Sequence, residues 1–294
     1  MKAQRARRGA RTEGVARAAG AEEAEGALRQ RPSHLRWWHE VLYIAAFYGV
    51  YTAVRDTQGS AGGGTTGTSA VIAYHHARGV IRVERDLWMY HEQQIQRFLL
   101  HHLGSLTTPF FDFWNVWYGS AHFLVTAAVG VWLFRRDPGR YTLWRNTLAV
   151  TTALALIGFA AYPLMPPRLL DFPFHNIAAH RPYGFVDTLA RYGGSWSFGS
   201  GAVEKVSNQF AAMPSLHIGW SVWCTLAVFP RCRRWWTRAL AVVYPLLTLL
   251  CIVVTANHFF LDAVGGLVVL GGGVALARPL TEFVHVRRSR PALR

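Results

Sequence analysis

Residues 239–277 read ALAVVYPLLTLLCIVVTANHFFLDAVGGLVVLGGGVALA. As one helix this apolar stretch would be nearly twice the ~30 Å depth of bilayer hydrocarbon. It therefore reverses at Thr255-Ala256-Asn257 and makes two spans, 239–254 and 259–277. His258 and Asp262 stand just past the reversal. A polar group in a membrane segment is expensive, so by default it marks a functional site.

The whole chain fits a membrane reading. Of its 294 residues 51% are hydrophobic and 14% aromatic, and the apolar residues are clustered. The formal charge of +15 could point to nucleic acid. Its arginines instead lie in short groups between apolar runs, so no nucleic-acid partner is expected. Cys224, Cys232 and Cys251 have no paired spacing, which argues for neither disulfide nor zinc.

Outward from the reversal, further apolar runs cover 41–54, 113–134, 148–162 and 215–229. The expected fold is all-α: a polytopic membrane protein with a six-transmembrane-helix bundle. Residues 72–103 mix charges with apolar residues at helical spacing, predicting an amphipathic helix before the second span. Residues 59–69 read as a flexible Gly/Ser/Thr linker. Residues 1–36 read as a disordered basic tail, 37–280 as the catalytic membrane domain and 281–294 as a second basic tail. With six spans, every arginine cluster falls on one side, which the positive-inside rule makes cytoplasmic. Both termini are then cytoplasmic, the loop 163–212 is extracytoplasmic, and His217 and His258 lie near the outer face of a cell membrane.

Ala212-Met213-Pro214-Ser215-Leu216-His217 opens the fourth span. Pro214 suits the first turn of a helix, and Asn257 is a good N-cap for the sixth. Both helices would aim free N–H groups at one region, a ready-made anion site. His258 and Asp262 are four apart, hence on one helical face. A carboxylate bonded to one imidazole nitrogen frees the other to attack or bind. His217 supplies a second imidazole, usable as general acid. Nucleophile, orienter, acid and anion cradle together suit phosphoryl transfer through a covalent intermediate. On the second span Asn115, Tyr118 and His122 share one stripe, open to hydrogen-bonded packing or a headgroup role.

These motifs resemble a known superfamily. Pro214-Ser215-Leu216-His217 is similar to the second signature of the type 2 phosphatidic acid phosphatases, and His258-Phe259-Phe260-Leu261-Asp262 to the end of their third. Leu216 in the third position of its motif resembles the branch containing inositol phosphorylceramide synthases. The resemblance implies that His258 becomes phosphorylated, Asp262 orients it, His217 protonates the leaving group and Ser215 helps hold phosphate. It implies no cofactor and no metal. Two cations of the superfamily pattern are missing. The Arg six residues before the nucleophile is Ile252 here, and the first-motif Lys has no counterpart. Pro166-Pro167-Arg168 resembles the synthase-like form of that motif, and Arg181-Pro182 offers another cation.

The reading that follows is a phosphotransferase acting on a lipid phosphate ester at the outer leaflet, with a polyol or sugar hydroxyl as acceptor. A lipid phosphate phosphatase of the phosphatidic acid or polyprenyl pyrophosphate type, using water, is the alternative. An intramembrane Ser215/His258 protease leaves His217 and Asp262 without roles. A transporter with a His/Asp proton relay would need polar residues along the spans, yet the fourth and sixth become apolar past their outer turns.

Overall fold

A backbone without water to bond must bond to itself, so the apolar runs can only be helices. The computed structural model describes residues 37–46, 49, 68–171, 182–193 and 210–289. Apart from one isolated bridge between Leu164 and Ala211, their regular structure is helical. Residues 37–46 belong to α1. There follow α2 (Thr68–Asp86), α3 (Glu92–His102), α4 (Thr107–Arg136) and α5 (Pro138–Ala161). A short α6 (Thr188–Tyr192) precedes α7 (Leu216–Val228), α8 (Trp235–Val254) and α9 (Phe260–Ser289).

Four helical stretches are long and apolar enough to cross a membrane: Gly104–Arg136, Pro138–Ala161, Trp235–Val254 and Phe260–Glu282. The chain is an integral membrane protein built on these. One expected span differs, and half of another, 41–54, lies outside the described residues, as does the linker up to residue 67. The run 215–229 forms α7, which has 13 residues and reaches only about 20 Å. A 3-10 turn, Phe229–Arg231, follows it.

The single amphipathic helix expected over 72–103 is two. Trp88 adopts a left-handed φ of 58°, which halts α2 and lets α3 start in a new direction. Along α2 the buried positions are Ala70, Ala73, Tyr74, Ala77, Val80, Ile81 and Glu84, at helical spacing. That small-residue face packs with Leu164, Met165, Leu169, Ala256 and Phe259.

At the arginine-rich end, ion pairs tie the helices together. Asp137 receives Arg231 at 2.7 Å and Arg140 at 3.4 Å. Glu40 of α1 receives Arg145 at 2.7 Å and the Tyr141 hydroxyl at 3.0 Å.

At the opposite end the close approach of α9 to its neighbours fixes the geometry. A Cβ on Gly266 would fall on the Ser215 carbonyl oxygen and lie 3.3 Å from the Gly219 nitrogen. A Cβ on Gly273 would fall on the Thr151 hydroxyl of α5 and stand 3.0 Å from the Thr147 carbonyl. Backbone cannot yield as a flexible side chain can, so Gly266→Ala drives α9 away from the start of α7. The expected cost is about 1–3 kcal/mol of overpacking. Activity should fall by roughly 10²-fold as the two helix ends separate. Gly271 faces open space. There Ala should be neutral or stabilise by about 0.5–1 kcal/mol, because it restrains the helix backbone. Thermal unfolding and turnover of the two variants in detergent check this; equal behaviour at 266 and 271 would remove the packing argument.

Candidate active site

The turn between α8 and α9 is built by backbone bonds. Ala256, buried and left-handed at φ 52°, reverses the chain. The amides of Asn257 and His258 both donate to the Ile252 carbonyl, at 3.0 and 3.2 Å. The Ala256 carbonyl accepts from the Arg168 amide at 2.8 Å, which docks the Pro167–Leu169 turn beside His258. The Asp262 carbonyl accepts from the Ser215 amide at 2.9 Å and joins the starts of α7 and α9.

His258 is buried, and its Nδ1 lies 2.8 Å from the Ala212 carbonyl and 3.3 Å from Asp262 Oδ2. Two acceptors at Nδ1 place the proton there and leave Nε2 with its lone pair. Burial pushes this imidazole down to about 4, with Arg168 adding to the effect against the Ala212 bond, so it is neutral at pH 7. Its ring centre is 5.4 Å from that of His217. His217 stacks on Tyr118 at 4.3 Å and touches His122 at 4.2 Å. Ser215 is the N-cap residue of α7, yet its hydroxyl makes no capping bond.

Five polar atoms here are buried without a hydrogen-bond partner among the described residues: His258 Nε2, His217 Nε2, Ser215 Oγ, Arg168 Nε and Asp262 Oδ1. The Arg168 side chain is held by Asp187 at 2.7 Å, an aspartate that also caps α6 through the amides of Leu189 and Ala190. A buried donor left unmade costs about 1–3 kcal/mol. Donors, a lone pair and a guanidinium gathered in this way suit an anion with several oxygens. Among the described residues no group of three His, Cys, Asp or Glu could hold a metal ion.

His258, Asp262, His217, Ser215 and Arg168 thus meet at one end of the bundle. Arg181 lies outside the described residues. Several sequence expectations about this end change. Pro214 precedes the N-cap of α7 and does not occupy its first turn. Asn257 does not cap α9: its side-chain Nδ2 donates to Thr255 Oγ1 at 2.8 Å, and the helix begins only at Phe260. Nor are the first amides of α9 open to an anion. Phe259 N donates to Asp262 Oδ2 at 2.9 Å, Phe260 N to Glu92 Oε1 at 2.9 Å and Leu261 N to Glu84 Oε1 at 2.7 Å.

Sequence reasoning missed Glu84 and Glu92, both completely buried, because acids in an amphipathic helix read as solvated. The available signal was that Glu84 continues the apolar stripe of α2 at helical spacing. Gln96, four after Glu92, was missed too; it bonds Val186 and the Val254 carbonyl at the end of α8. In the α4 stripe Asn115 is a packing residue, exchanging bonds with Thr188 at 2.8 and 3.0 Å. Tyr118 and His122 line the site.

Over 158 residues, 51% of this chain, the sequence is 28% identical to the inositol phosphorylceramide synthase catalytic subunit aur1 of Schizosaccharomyces pombe. The match covers 36% of that protein, so the chain spans about a third of the length of this curated relative. No solved structure matches. A profile of the PAP2 superfamily matches residues 78–276, which takes in α3 to α8 whole, most of α9 and every residue of the site described above. The chain belongs to the PAP2 superfamily.

Proposed function

We propose that the protein transfers a phosphate-bearing group from a lipid phosphate ester to a polyol hydroxyl, through a phosphohistidine on His258. The observation that carries this reading is the imidazole of His258, tied at Nδ1 and left with a buried, unpartnered Nε2 beside the unpartnered His217 Nε2, Ser215 Oγ and Arg168 Nε. Nε2 attacks phosphorus, the P–O bond to the leaving alcohol breaks, and His217 gives that oxygen its proton. His217 then takes the proton of the incoming hydroxyl as the P–N bond breaks. Asp262 keeps the imidazole in the reactive tautomer and stabilises the cation that forms. Ser215 and Arg168 hold the phosphate oxygens. Arg168 is the cation that answers for Ile252 and the missing Lys; Arg181 is a second candidate.

The likeness to an inositol phosphorylceramide synthase favours transfer over hydrolysis. The stacked wall of Tyr118 and His122 beside His217 suits a headgroup at the acceptor position. We further propose six crossings, with residues 41–54 and α7 completing the four long spans. The termini are then cytoplasmic and the site extracytoplasmic.

Rapid quench with ³²P-labelled lipid substrate should give an acid-labile, base-stable label that His258→Ala abolishes. His217→Ala should retain more activity on a nitrophenyl phosphate ester than on the lipid, since that leaving group needs little protonation. Asp262→Asn should fall by roughly 10²–10⁴ in rate. A label that survives in His258→Ala and vanishes in His217→Ala reverses the two roles. Turnover with and without inositol separates transfer from hydrolysis.

Topology is checked on Ser195→Cys, which an impermeant thiol reagent should label in intact cells. Labelling only after lysis puts the loop on the cytoplasmic side and overturns the proposed orientation.

A further inference from the structure

Three carboxyl groups converge on the first turn of α9, and only Asp262 belongs to the dyad. Glu84 arrives from α2 and Glu92 from α3, and both are completely buried. Each gives one oxygen to a backbone amide: Glu84 Oε1 to Leu261 at 2.7 Å, Glu92 Oε1 to Phe260 at 2.9 Å. The second oxygens, Glu84 Oε2 and Glu92 Oε2, are buried and meet no donor among the described residues. The two carboxyls lie against each other. Two buried carboxylates in contact cannot both ionise. One proton between the spare oxygens satisfies both.

The surroundings offer no better partner. From α9 the pair faces the Asp262 carboxylate. From the α2–α3 turn it faces Tyr90, which carries Arg85 over its ring at 4.9 Å, and Tyr183 stands behind Tyr90. Arg85 is therefore engaged on the ring.

We propose that Glu84 and Glu92 share one proton and act together as positioning residues, clamping the first turn of α9 so that His258 Nε2 faces the substrate phosphorus. The proposal rests on the phosphohistidine reading and deepens it. The clamped amides, those of Phe260 and Leu261, come just after His258 and Phe259 in the chain. The 3.3 Å contact of His258 with Asp262 joins the residues before α9 to its first turn, so it lengthens if that turn unwinds. The net negative charge of the pair suits a helix N-terminus. It also repels a phosphate from α9 and leaves that anion to Ser215, Arg168 and the start of α7.

Burial, with the neighbouring Glu92 carboxyl, pushes Glu84 up to about 9 from its ordinary 4.5. The folded chain thus keeps a proton that the unfolded chain releases. The pair's contribution to stability falls as pH rises from about 4.5 to about 9 and is flat above. Above about 9 the proton leaves and the two carboxylates push apart.

The test is the rate of ³²P labelling of His258 against pH in the purified full chain. Glu84→Gln can accept from Leu261 and donate to Glu92 without a titrating proton. It should label within about threefold of wild type at neutral pH, with its alkaline limb moved up by about one pH unit or more. Glu84→Ala should lose about 10²-fold at every pH, the scale of a misplaced nucleophile. Coincident alkaline limbs in wild type and Glu84→Gln, or a wild-type rate in Glu84→Ala, overturn the proposal. Should Glu84→Gln not fold, Glu92→Gln is read by the same criterion. If wild type itself carries no label, the phosphohistidine reading has failed, and the pair is judged by thermal unfolding. The wild-type midpoint should then fall more steeply than that of Glu84→Gln between about pH 5 and pH 9; parallel slopes overturn the shared proton.

Discussion

A backbone amide or carbonyl away from water must find a partner inside the protein, and helix ends bring several such groups to one place. Here the end of α8 and the starts of α7 and α9 meet at a single corner. Their loose groups are answered by one another and by three acids. The Ser215 amide takes the Asp262 carbonyl, the Arg168 amide takes the Ala256 carbonyl, and Gln96 reaches the Val254 carbonyl. Asp262, Glu92 and Glu84 each accept one amide of the α9 start. The helices α2 and α3, which do not cross the membrane as apolar spans, have their place in the fold because they deliver two of these acceptors.

Among the described residues the polar atoms of the corner left without a partner are His258 Nε2, His217 Nε2, Ser215 Oγ and Arg168 Nε, together with one oxygen of each of the three acids. The family's missing cation is visible in packing. Ile252 is fully buried among Ile218, Val253 and Ala263, so its side chain belongs to an apolar cluster while its carbonyl carries the turn. Arg168 approaches from another segment, docked by its own amide and steadied by Asp187. One guanidinium, on a short 3-10 turn, is thereby brought to the corner where Ile252 offers none.

Much of this was legible in the residues. The apolar runs predicted α4, α5, α8 and α9, and the excess length of 239–277 predicted the reversal at 255–257. The i, i+4 spacing of His258 and Asp262 and the convergence with His217 and Ser215 also followed from sequence. What was hidden has a common physical cause: it depends on backbone conformation or on a partner remote in the chain. No residue pattern announces that Trp88 turns left-handed and splits a helix in two. Asn257 has the chemistry of an N-cap, but Thr255 offered its side chain a nearer partner. Glu84 and Glu92 look solvated until α9 is laid across them.

The contact between Gly266 and Ser215 has an evolutionary side. The spacing between the two imidazoles is set by main chain against main chain, with no side chain free to relax it. The wall beyond His217 is made of the side chains of Tyr118, His122 and Trp220. Substitutions in that wall can therefore accumulate without moving the two imidazoles, whereas one at Gly266 cannot.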